Sequence, residues 1–144
     1  MSTQNQNFNT TNPAEGIDRL TQLQLAVQLD ESQNLVVSEY TGAGAIVGFG
    51  RAFLKTGGAS AMTLAQPLPG AQDAGGNDGA LLEVIALDAE AYTITTAADG
   101  INGTGDTLTA SAAVGDTVRL VAFNGTWYIS KTTTGTPAWA LTEV

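Results

Sequence analysis

The sequence predicts an all-β chain: a β-sandwich or jelly-roll-like domain with an extended N-terminal arm. Three observations carry that expectation. Short apolar runs recur between turn signals spaced about 8–12 residues apart, and such strands must stack as two sheets to bury one face each. Composition favours strands and turns, with 17 Gly, 20 Thr and 22 Ala among 144 residues. The third is a hairpin signature in Asp116–Ser130, where Asn124-Gly125 separates two alternating runs. A type I′ turn needs φ > 0 at both central residues, which Asn and Gly supply. A two-residue loop pairs Phe123 with Thr126, Ala122 with Trp127, Val121 with Tyr128, Leu120 with Ile129 and Arg119 with Ser130. One face then carries Val118, Leu120, Ala122, Trp127 and Ile129 and reads as core. The other carries Arg119, Val121, Phe123 and Tyr128 with Thr and Ser, and a one-residue slip would exchange the two faces.

Taken in order, residues 1–11 are rich in Asn, Gln, Ser and Thr around a single aromatic, Phe8. They cannot build a core, and read as an extended arm: either a disordered terminus or an arm that orders on a partner with Phe8 as its anchor. Asn12-Pro-Ala-Glu15 has the pattern of a helix start, cut short by Gly16. Leu23, Leu25, Val27 and Leu29 alternate with polar or small residues, which predicts a strand. After the polar turn at 30–34, a second strand runs from Leu35 to Tyr40. Gly42, Gly44, Gly48 and Gly50 mark bulges or close backbone approaches. Arg51–Lys55 and Ala61–Ala65 read as short extended segments. Gln66–Gly79 is a long Pro/Gly loop. Leu81–Leu87 is nearly all apolar and predicts a buried strand. Ala91–Thr96 and Thr107–Ala110 are further strands, separated by a Gly/Asn/Asp loop, and the hairpin follows. A Thr-rich link leads to a tail with Pro137 and Trp139. Composition changes most after residue 34, giving an expected division into 1–34 and a β-domain at 35–144.

Composition also bounds function. The formal charge is −9, from 14 acidic and 5 basic residues. That disfavours a nucleic-acid backbone or an anionic membrane as partner. No apolar run approaches the ~20 residues of a membrane span. The residues after Met1 have neither the basic nor the apolar region of a secretory signal, so the chain is expected to be made in the cytoplasm. It contains no Cys and no His. Disulfides and thiolate metal sites are excluded, as is the commonest general base. Charged residues are 13% of the chain, against about 25% in a typical domain. So little charge suits a surface largely covered in an assembly.

Motifs for chemistry fall short when tested. Gly42-Ala-Gly44 has no helix after it to cradle a phosphate. Asp73–Gly79 resembles a calcium loop but places Gly75 at position 3 and Asp78 at position 6, where the turn glycine belongs, so it reads as a surface loop ahead of a looser Ca²⁺ site. Asp99–Asp106 fails likewise at Ile101. Paired glycosidase carboxylates could be drawn from Glu83, Asp88 and Glu90, but these sit in a strand and a turn with no spacing that sets such a pair. Asn-X-Thr triplets at 9, 102 and 124 read as turn chemistry. The expectation is no catalytic residue, no cofactor and no metal. What remains is surface. Trp127 belongs to the core, whereas Tyr128, Phe123 and Val121 beside Arg119 have the composition of an interface, with Trp139 a further aromatic candidate. The same aromatic residues also leave open a carbohydrate-binding module.

Ala61-Met-Thr-Leu-Ala65, the Pro/Gly loop, Gly79-Ala-Leu-Leu-Glu-Val-Ile85, Ala91–Ala97, Gly100-Ile-Asn-Gly103 and Gly115–Tyr128 together resemble a domain of tailed-bacteriophage virion proteins, especially capsid decoration (cement) and head-fibre proteins. The resemblance covers about half the chain and rests on turn and core residues. It implies an all-β homotrimer on the outer capsid surface of the virion, touching the major capsid protein through its N-terminal part. Phage tail or fibre proteins carrying the same segment are the alternative. The contact residues expected from the chain's own arm and aromatic patch are Phe8, Arg119, Val121, Phe123, Tyr128 and Trp139.

Overall fold

The computed structural model describes residues 36–132 and 139–143, all within Asn34–Val144, the second of the two units into which the chain divides. The helix start at 12–15, the strand at 23–29 and the arm with Phe8 lie outside the described residues.

Ten strands are described: β1 (Val37–Tyr40), β2 (Gly44–Ile46), β3 (Gly50–Leu54), β4 (Ser60–Leu64), β5 (Leu81–Ala86), β6 (Tyr92–Thr95), β7 (Thr107–Ala110), β8 (Thr117–Phe123), β9 (Thr126–Thr132) and β10 (Trp139–Thr142). They form two five-stranded sheets, sheet A in the order β1-β3-β5-β8-β9 and sheet B in the order β10-β7-β6-β4-β2. Among the described residues the only helical piece is a 3-10 turn at Gln72–Ala74. The sandwich expected from strand spacing is therefore present.

Its winding was not visible in the sequence. From β1 to β6 the chain alternates between the sheets, and within each sheet these strands pair in parallel: β1 with β3, β3 with β5, β2 with β4 and β4 with β6. A parallel pair needs a crossover. Here each crossover contains a strand of the facing sheet, as in the coils of a β-helix. After β6 the chain reverses. β7 pairs antiparallel with β6, β8 with β5, β9 with β8 and β10 with β7.

The core fills the space between the sheets by period-two alternation. Leu82, Val84, Val118 and Leu120 from sheet A and Met62, Ile94 and Leu108 from sheet B are all fully buried. Each such side chain contributes about 1.5–3 kcal/mol of transfer free energy. Trp127 is the largest of the fully buried residues, and its indole N–H donates to the Ala65 carbonyl at 2.9 Å. Gly50, with φ +81°, is required by a close approach: a Cβ there would lie 2.4 Å from the Val36 carbonyl oxygen.

The hairpin has the expected turn, with Asn124 at φ 47° and Gly125 at φ 81°. Its register matches from Phe123↔Thr126 back to Leu120↔Ile129, but a bulge follows and Arg119 faces Lys131 rather than Ser130. The loops lock onto it. Gly79 N–H donates to the Ala122 carbonyl at 2.8 Å, and Asn124 N–H to the Asp78 carboxylate at 2.6 Å. Along β9, Asn102 N–H donates to the Trp127 carbonyl at 2.8 Å and the Asn102 side chain accepts from Ile129 N–H at 2.9 Å. The loop thus covers part of an edge that would otherwise offer free strand groups. Two expectations change. β5 is buried on one face only, since Glu83 and Ile85 are half-buried and Leu81 is exposed on the other. Trp139 is not a surface aromatic: it is 6% exposed and belongs to the core cluster.

Candidate functional site

The outer faces of the two sheets differ in chemistry. On sheet B, register aligns Ala61, Thr93, Thr109 and Ala140 in one row and Thr63, Thr95, Thr107 and Thr142 in the next. These rows carry no charge and no large side chain. On sheet A, the same geometry aligns Val37, Arg51, Glu83, Arg119 and Lys131 across all five strands. Leu81, Val121 and Tyr128 form the neighbouring row.

Glu83 bridges two cations at the centre of this face. Arg51 Nε donates to Glu83 Oε2 at 3.1 Å and Arg119 Nη2 to Glu83 Oε1 at 2.9 Å. β5 lies between β3 and β8, so register alone puts the acid between the two guanidinium groups. Desolvation would raise the Glu83 carboxyl. Hydrogen bonds and charge from Arg119 and Arg51 outweigh it and hold the group below its usual value. A recess of about 240 Å³ opens here, lined by Gly50, Arg51, Leu81, Glu83 and Arg119.

Aromatic and aliphatic groups surround the bridge. Phe123 is 61% exposed and Tyr128 40%, while Leu81 and Val37 are exposed and Val121 is half-buried. Of the contact residues expected from sequence, Arg119, Val121, Phe123 and Tyr128 share this face. Trp139 is in the core, and Phe8 lies outside the described residues. Arg51, Glu83 and Leu81 were missed. No local pattern marks them, because β3 and β5 are 32 positions apart in register, at Arg51↔Glu83.

Asp88 and Asp116 have structural partners. Asp88 accepts from Tyr92 Oη and, at 2.9 Å, from Gly57 N–H. These bonds lower the Asp88 carboxyl. Burial, then the bond to Asp88, raises the Tyr92 phenol. Buried Asp116 accepts from Ser111 N–H at 3.1 Å, Ser111 Oγ at 2.6 Å and Ala113 N–H at 3.3 Å, closing the turn before β8. Among the described residues no group of three or more acidic side chains is placed to hold a metal ion. The outer face of sheet A thus combines exposed apolar area, two exposed aromatic side chains and a fixed charge pattern.

No protein-family model matches the chain, and a search of curated proteins finds no match.

Proposed function

We propose that the protein is a structural component of a tailed-phage virion, a cement protein that binds the outer capsid surface and stabilises the shell, with the major capsid protein and further copies of itself as partners. One observation carries the reading: the outer face of sheet A keeps Phe123, Tyr128, Leu81 and Val37 in solvent around a fixed Arg–Glu–Arg bridge. Exposed apolar side chains grouped on one rigid surface mark association sites. The resemblance of residues 61–130 to decoration and head-fibre proteins supplies the kind of assembly. Cement proteins act by adding contact area across capsomer joints, which needs a rigid body and complementary surfaces but no reacting group.

The test uses tailed particles from the host that carries the gene. Particles stripped of the protein are mixed with the purified full chain and reconstructed. The expected result is added density at three-fold or quasi-three-fold positions of the shell. Density confined to tails would replace the cement role with a tail or fibre role. Strong glycan-array binding abolished by Tyr128→Ala, with no particle binding, would replace it with carbohydrate recognition.

A further inference from the structure

We infer that the outer face of sheet A docks a protein surface that presents a carboxylate, seated between Arg51 and Arg119, with apolar side chains packed on Leu81, Val121 and Tyr128. This rests on the proposed cement role, and the acidic surface then belongs to the shell protein.

Charge distribution is the first ground. The described cations are Arg51, Lys55, Arg119 and Lys131, and three of them share one row of sheet A. Three positive charges against Glu83 leave +2 along this row, with exposed Glu39 of β1 in the adjacent row, on a chain whose net charge is −9. An acidic protein that gathers its few cations on one apolar face has the field there to select an anionic group.

Unused donors are the second. A guanidinium has five N–H groups in a planar fork that matches a carboxylate. Arg51 uses Nε on Glu83 and Arg119 uses Nη2. Neither makes another side-chain hydrogen bond among the described residues, and their side chains are 49% and 43% exposed. Glu83 holds both forks in place, so a second carboxylate meets donors that are already oriented.

Size and surroundings define the occupant. The recess of about 240 Å³ falls below the ~300–1,000 Å³ of sites that enclose drug-sized ligands. It suits one acidic side chain of a larger body. The apolar rim fits a protein better than a polyanion, since nucleic acid would meet a single positive row on an otherwise acidic molecule.

Two measurements test this. The isotopically labelled full chain is titrated with acetyl-Leu-Glu-Leu-amide and, separately, acetyl-Leu-Gln-Leu-amide, following backbone amide shifts. The expected result is a saturating response at Arg51, Glu83, Arg119 and Lys131 to the Glu peptide alone, at millimolar concentration. An equal response to both peptides, no response, or shifts confined to the strand edges would overturn the proposal. In the second, the Arg51→Gln/Arg119→Gln and Arg51→Lys/Arg119→Lys variants, each with wild-type circular dichroism, are bound to stripped particles. The Gln pair should bind at least about tenfold more weakly, a loss of about 1.4 kcal/mol, and the Lys pair should fall between it and wild type. If wild type binds particles and the Gln pair binds equally well, the carboxylate seat is wrong and the cement role stands. If wild type does not bind particles, the cement role fails while the peptide result still judges the seat. Loss of self-association in the Gln pair would make the occupant a second copy and overturn the assignment to a shell protein.

Discussion

Trp127 and Tyr128 are adjacent in sequence and on opposite faces of sheet A, so truncating each should have very different consequences. Trp127 is 1% exposed, and Tyr128 is 40% exposed. Trp127→Ala removes a fully buried indole, at a cost of about 3–5 kcal/mol in lost transfer energy and cavity. It also leaves the Ala65 carbonyl without its indole donor, adding about 1 kcal/mol. Tyr128→Ala removes a half-solvated ring and should cost under about 1 kcal/mol. Urea unfolding followed by far-ultraviolet circular dichroism measures both. With an m-value of about 2 kcal/mol/M, Trp127→Ala should lower the midpoint by about 2 M or more and Tyr128→Ala by less than about 0.5 M. Particle binding should show the reverse order for any Trp127 variant that stays folded, with Tyr128→Ala losing about 2 kcal/mol, or thirtyfold. Equal stability losses would refute the assignment of faces. A Tyr128→Ala variant that binds particles as wild type does would refute the role given to the exposed one.

Other predictions address single interactions. Gly50→Ala should destabilise by about 2 kcal/mol or more in denaturant titration, because the new Cβ meets the Val36 carbonyl and the residue holds φ +81°. Asp116→Ala should cost about 2–3 kcal/mol, since three donors at the turn before β8 lose their acceptor. Glu83→Gln should cost only about 0.5–1 kcal/mol, because the bridge is partly solvated. The Glu83 carboxyl is lowered in the folded state, so its contribution is present above the usual value of 4.5 and is lost as pH falls through the folded value. The stability gap between wild type and Glu83→Gln should therefore close in acid. The Tyr92 phenol is raised above its usual 10.0, so its contribution is complete below that value and lost as pH rises past it. Tyr92→Phe should cost about 1 kcal/mol at neutral pH and less in strong alkali.

The hairpin was legible because its information is local. Asn124-Gly125 sets the turn, alternation sets the faces, and both act within fifteen residues. Even there the bulge beside Arg119 escaped notice, since nothing in Arg119 or Lys131 requires it. The parallel winding of β1 to β6 was not legible. Strand spacing reports where strands end, not which neighbours they choose, and the crossovers here are themselves strands. The outer face of sheet A was half legible for the same reason. Val121, Phe123 and Tyr128 lie together on one hairpin, while the Arg51–Glu83 contact depends on a parallel ladder between distant segments. Leu81–Leu87 looked buried throughout because its single charge, Glu83, was judged without the arginines that hold it on the outer face. Trp139 looked available because aromatic content alone cannot say which side of a strand faces inward.

The proposal that the sheet A face holds the protein to a phage shell is tested most directly by a high-resolution reconstruction of the native particle from the host that carries the gene. The account predicts this chain on the outer capsid surface, with Phe123 and Tyr128 covered by shell protein and a shell carboxylate within about 3 Å of Arg51 or Arg119. A particle that displays the chain with this face open to solvent, or lacks the chain on its shell, would contradict it.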